Sequence, residues 1–151
     1  MELEKIINDD IKQAMLAKDA RKLSALRAIK AALLLEKTGK DVSSGEIPET
    51  VELKMLQKLV KQRREAAAIY ASQNRSDLEE EEIYQAKIIE AYLPAQMSTD
   101  EVKQHITAII SELGANSIKD MGRVIAAANS KLSGKSDNQT IASIVKQLLS
   151  T

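Results

Sequence analysis

Apolar residues recur at three- and four-residue intervals along almost the whole of this 151-residue chain. That is the period of a helix with one buried face. From about residue 2 to 18 the stripe is Leu3, Ile7, Ile11 and Ala14; from 20 to 37 it is Leu26, Ile29 and Leu33. The join around Lys18 and Asp19 is tight, so these two helices are expected to lie antiparallel. Residues 38–48, TGKDVSSGEIP, carry the Gly, Ser and Pro of a surface loop. Pro48 suits the first turn of a third helix over about 49–73. On that helix Leu56, Leu59, Val60, Arg63, Ala67 and Tyr70 share one face. A break is expected at Asn74-Arg75, and Ser76 with Glu79 has the spacing of a capping box opening a fourth helix. That helix ends at Leu93, because Pro94 drives the residue before it out of the α region.

The remainder keeps the same period in three shorter helices. Ser98 and Glu101 form a second capping-box pair, followed by Val102, Ile106, Ile109, Ile110 and Leu113, with Gly114 as the stop. Ser117 is expected to open a sixth helix carrying Ile118, Met121, Ile125, Ala128 and Leu132, closed by Gly134. Asp137 is a good N-cap for a last helix with Ile141, Ile144, Val145, Leu148 and Leu149 inward. The pattern predicts an all-α protein of two helical domains. An N-terminal bundle of about four helices would occupy residues 1–95, and a C-terminal three-helix domain residues 96–151.

Composition sharpens this picture. Hydrophobic residues make up 44% of the chain but aromatic ones only 2%, all tyrosine, so the core must be aliphatic. With two Pro and five Gly there is little material for a loop-rich β fold. The absence of cysteine excludes disulfides and thiolate metal sites. No apolar run approaches the roughly 20 residues that span a bilayer, and the acidic start MELEKIINDD reads as neither a signal nor a transit peptide. A cytoplasmic protein with no membrane association is expected. Charge is balanced at 22 basic and 22 acidic residues, unlike a strongly basic nucleic-acid binder, although balance does not exclude a local basic face.

Candidate chemistry is sparse. Gly134-Lys135-Ser136 ends like a phosphate-binding loop, but Asn129 stands where that motif needs glycine, and a helix precedes it in place of a strand. His105 is the single histidine, lies on the polar side of its helix and has no companion ligands for a metal. Glu79 to Glu82 point around their helix rather than converging, and negative charge there suits the helix N-terminus. No catalytic residue, metal site, cofactor or small-molecule substrate is assigned. On the third helix Lys54, Lys58 and Lys61, with Arg64 beside them, form a basic stripe that either contacts phosphates or pairs with the acidic fourth helix. Arg63, on the apolar side, is expected to need a Glu or Asp partner from the fourth-helix region. Residues 95–151 hold six basic residues (Lys103, Lys119, Arg123, Lys131, Lys135, Lys146) against five acidic ones, so the tail is mildly basic.

The run KQRREAAAIY…NRSDLEEEE…IIEAYLPAQMS (residues 61–98) resembles the central signature of the YqeY family. The segment KDMGRVIAAANSKLSGKSDNQTIASIVKQLL (residues 119–149) is similar to its C-terminal signature, shared with the tail of the B subunit of the Asp-tRNA/Glu-tRNA amidotransferase, GatB. The resemblance covers essentially the whole chain, and its most specific parts are AYLPAQ (residues 91–96), Gly122 and Gly134. It departs at Ala126 and at Asp137-Asn138, where the family usually has a glycine and Asp-Gly. The resemblance implies an all-α, two-domain protein linked to tRNA-dependent amidation, a carbon–nitrogen ligase label with glutamine as amido donor. In GatB the related tail helps hold tRNA while the chemistry occurs elsewhere. An accessory protein that binds tRNA or an amidotransferase complex is therefore expected, with Lys119, Arg123, Lys131 and Lys135 as candidate tRNA contacts and Lys54, Lys58, Lys61 and Arg64 as a secondary stripe. A helical protein–protein adaptor is the alternative.

Overall fold

A computed structural model describes residues 3–38 and 47–150. Among them the chain forms seven α-helices, one 3-10 turn and no strand, so the protein is all-α. Its contacts separate into two units, Met1–Leu93 and Pro94–Thr151. Most of the loop expected at 38–48 lies outside the described residues.

The first unit holds α1 (Leu3–Leu16), α2 (Ala20–Thr38), α3 (Glu49–Ser72) and α4 (Ser76–Glu90). Two hairpins, α1–α2 and α3–α4, pack through α2 against α4 and α3. Their core is aliphatic: Leu3, Ile7 and Ala14 of α1, Leu26, Ile29 and Leu33 of α2, Met55 and Leu56 of α3, and Ile89 of α4. The tight α1–α2 turn places Lys18 in the left-handed region at φ 56°. Asp19 then caps α2 by accepting the Lys22 backbone N–H at 3.1 Å. Asn74 makes the α3–α4 turn at φ 57°, a conformation that asparagine tolerates better than most residues. Two side-chain links bind the hairpins across their length. Arg21 of α2 reaches Glu81 at 3.1 Å and Glu80 at 3.5 Å, with its guanidinium 4.0 Å over the Tyr84 ring. Tyr92, just past α4, donates its hydroxyl to Asp10 of α1.

The second unit contains α5 (Thr99–Leu113), the 3-10 turn Ile118–Asp120, α6 (Met121–Lys131) and α7 (Asn138–Leu149). Its own core joins Val102, Ile106 and Ile109 to Val124, Ala128 and Leu132, and to Ile141, Ile144, Val145 and Leu149. The capping box at its entrance is complete. Ser98 Oγ accepts the Glu101 N–H at 3.2 Å, and Glu101 accepts the Ser98 N–H at 3.1 Å. Gly114 stops α5 at φ 64°, and Asp137 caps α7 through Thr140 N–H at 2.6 Å.

Three local expectations fail. Ser76 is already the first helical residue, with Arg75 in the cap position and no side-chain cap, so the Ser76–Glu79 box does not form. Arg75 instead pairs with Asp77 at 3.4 Å. Ser117 opens a 3-10 turn rather than α6. Three residues per turn resets the phase, leaving Ile118 47% exposed and putting Val124 at the centre of the buried stripe. Pro48, with ψ 144°, is the residue before α3 rather than a member of its first turn.

Candidate nucleic-acid interface

The four tail candidates follow one another along the second unit. Lys119 sits in the 3-10 turn, Arg123 in the first turn of α6, Lys131 at its last residue and Lys135 in the turn before α7. All four are exposed. Eight residues of helix put Arg123 and Lys131 about 12 Å apart along the axis, so the cations form a spread row rather than a pocket. Arg123 is engaged with Asp120 at 3.2 Å. That carboxylate also accepts the Asn116 backbone N–H at 3.1 Å. The bond from the Asn116 N–H, aided by the Arg123 charge, holds Asp120 below the usual carboxylate range. Among the described residues no ion pair engages Lys119, Lys131 or Lys135.

The backbone under Lys135 is fixed. Gly134 is buried and takes φ 76°, which glycine permits without steric cost. Its carbonyl accepts Gln96 Nε2 at 2.6 Å, and the same amide donates to the Pro94 carbonyl at 2.8 Å. The Lys135 carbonyl accepts the Met97 N–H at 2.8 Å, while its own N–H donates to Leu132 O at 2.9 Å. Gly134-Lys135-Ser136 is thus a clasped inter-helix turn, and its resemblance to a phosphate loop stops at three letters.

On α3 the cations divide into two sets. Arg63, half-buried, donates Nε to Gln85 of α4 at 3.1 Å, with Glu82 3.9 Å away. This is the inter-helix carboxylate that its place on the apolar side predicts. Arg64 turns to the same helix, meeting Glu90 at 3.2 Å. Lys54, Lys58 and Lys61 remain exposed on the opposite side, and Lys61 lies 3.9 Å from Glu65 of its own helix. Pairing with the acidic fourth helix therefore accounts for the arginines and not for Lys54 and Lys58. Of the Glu79–Glu82 run, Glu80 and Glu81 meet Arg21 and Glu82 meets Arg63.

His105 is half-buried on α5. No group of three or more His, Cys, Asp or Glu side chains is arranged to hold a metal among the described residues. A shallow open hollow on α5, lined by Asp100, Lys103, Gln104 and Thr107, brings no nucleophile to a base. One buried ionisable group escaped the sequence reading. Glu52 of α3 is 3% exposed. Burial pushes its carboxyl above the usual range, partly offset by a hydrogen bond from the Leu3 backbone N–H. Its Oε1 has no hydrogen-bond partner. The available signal was its spacing, since Glu52 stands four residues before Leu56 on the apolar face.

A family model described as Yqey-like protein matches residues 4–149. The chain belongs to the YqeY family. Three curated fungal proteins, each named "Altered inheritance of mitochondria protein 41, mitochondrial", are similar to it. The Clavispora lusitaniae protein is 31% identical over 71% of this chain and 62% of its own length. The Meyerozyma guilliermondii protein is 32% identical over 82% of this chain and 68% of its own. The Kluyveromyces lactis protein is 29% identical over 71% and 58%. This YqeY-family chain spans about three fifths of the length of the first of these relatives. None of its described helices is long and apolar enough to cross a membrane.

Proposed function

We propose that this YqeY-family chain is an accessory module that binds tRNA through its second unit, in connection with tRNA-dependent amidation, and leaves the chemistry to a partner enzyme. One observation carries the reading: Lys119, Lys131 and Lys135 stand exposed, without an ion pair among the described residues, on a backbone held by caps and by the Gln96 clasp. Lysines not neutralised from within the protein are free to displace counterions from a phosphate backbone. Arg123 contributes by exchanging Asp120 for phosphate. The proposed setting is the cytoplasm; the fungal relatives carry "mitochondrial" in their names.

The test is equilibrium binding of bulk tRNA by the intact chain between about 50 and 200 mM salt. Four contacts give a slope of log affinity on log salt near −3, taking roughly 0.7–0.9 per phosphate. Replacing Lys119, Arg123, Lys131 and Lys135 together by Gln should make the measured slope shallower by about 3, the share of those four contacts. Absence of tRNA binding by the intact chain at low salt, or an affinity indifferent to salt, contradicts the reading. A protein–protein adaptor is the second reading, favoured by the exposure of Leu16 (79%) and Leu35 (73%). Recovery of a stoichiometric protein partner after nuclease treatment would favour it.

A further inference from the structure

The outward face of α3 has no role in the preceding proposal. Taking Leu56 as the centre of the buried face, helical geometry at about 100° per residue puts Lys54, Lys58 and Lys61 within roughly 40° of the diametrically opposite direction. They are exposed, and one turn separates each from the next. Glu65 shares this face and sits 3.9 Å from Lys61. Lys54 and Lys58 have no ion pair among the described residues. Four carboxylates of α4 are taken elsewhere, Glu82 by Arg63, Glu90 by Arg64, and Glu80 and Glu81 by Arg21. On α3 the two arginines, with their planar forks, turn to α4, and Lys54 and Lys58 are left as point charges on the outside.

We infer that the Lys54–Lys58–Lys61 face of α3 is a second RNA-backbone contact surface on the first unit, separate from the tail row. The inference rests on the tRNA reading above and extends it to a different unit. Charge sign alone admits three anionic partners, and the surroundings choose among them. Most apolar side chains of α3 are committed to the core or to its margin, and further along the lysine face come Glu65, Ala68, the 57% exposed Ile69, and Ser72. Ile69 is the one large apolar side chain exposed there, and a single isoleucine falls short of the apolar face with which an amphipathic membrane helix inserts. Lysine is depleted at protein–protein interfaces, where aromatic residues and arginine dominate, and this face offers neither. Flexible ammonium groups one helical turn apart, about 5–6 Å in rise, suit the diffuse and repeating charge of a phosphate chain.

The test compares the intact chain with Lys54→Gln/Lys58→Gln, which keeps helix propensity, and with Lys5→Gln/Lys12→Gln. The latter removes the same charge from exposed positions of α1. The α3 pair should make the tRNA salt slope shallower by about 1.4–1.8, while the α1 pair leaves it almost unchanged. Phosphatidylserine vesicles and polyglutamate, run in parallel, should show no dependence on the α3 pair. If the α3 and α1 variants behave alike while the tail variant still loses binding, this inference fails and the tail reading stands. If vesicles or polyglutamate depend on the α3 pair as much as tRNA does, the assignment to RNA is wrong. If the intact chain binds no tRNA at low salt, both proposals fall together.

Discussion

Glu52 shows what one carboxyl does to a small helical bundle. Burial holds its folded-state pKa above the ordinary 4.5. Below that value the group is neutral in both the folded and unfolded chain. As pH rises past it, the unfolded chain ionises first and gains, so the folded state loses stability until the folded group also ionises. Glu52→Gln keeps an oxygen for the Leu3 N–H and removes the titration. Urea denaturation should find Glu52→Gln more stable than the parent near pH 7, with the advantage vanishing by about pH 4. A parent whose stability is flat across this range would contradict the burial argument. At the same scale, the sequence exposed some side chains and hid others. Arg63 was legible because a guanidinium amid Leu59, Val60 and Tyr70 must find a partner. Arg64 was grouped with the lysines because one sequence gives the angle around a helix but not the register of its neighbour. Only the packed hairpin brings Glu90 to 3.2 Å.

Among the elements, α1, α2, α5 and α7 follow their stripes closely, since a 3.6-residue period with no interruption leaves one way to bury the apolar face. The misreadings fall at helix starts, where one residue decides between geometries. Ser98 and Ser76 carry the same motif, yet only Ser98 has the extended backbone (φ −67°, ψ 161°) that lets a hydroxyl reach back to the third N–H. Ser76 lies one step inside its helix, behind an Arg75–Asp77 pair. Ser98→Ala should therefore cost about 1 kcal/mol, whereas Ser76→Ala should stay within about 0.5 kcal/mol of the parent. Thermal denaturation of the two variants reads the difference directly, and equal losses would show that the motif acts at both sites. At α6 the 3-10 turn shifts the stripe by a fraction of a turn, which is why Ile118 lies outside while Val124 lies inside. Periodicity counted from Ser117 assumed one continuous helix.

Across the whole molecule, two aliphatic cores share no residue. Small helical units bury a modest fraction of their chain and are correspondingly marginal. Ile106→Ala, at the fully buried centre of the second core, should remove about 3 kcal/mol from that unit. Hydrogen exchange should then show α5, α6 and α7 losing protection while α1 to α4 keep theirs. Uniform loss in all seven helices would mean that the cores fold as one. The all-α class was legible from the first stripe onward. Which surface serves as a site was less so, because lysines look alike in a sequence. Their standing depends on which carboxylates the packed helices have already consumed.

The amide of Gln96 spans the carbonyls of Pro94 and Gly134, and this governs where the protein can be cut. A fragment taken from Pro94 onward carries its own buckle and keeps the lysine turn shaped. One begun at Ser98, the apparent helix start, preserves every helix of the second unit yet discards the strap, leaving the Gly134 carbonyl without Gln96 and the Lys135 carbonyl without Met97. For anyone dissecting this chain, the connector is part of the piece it precedes.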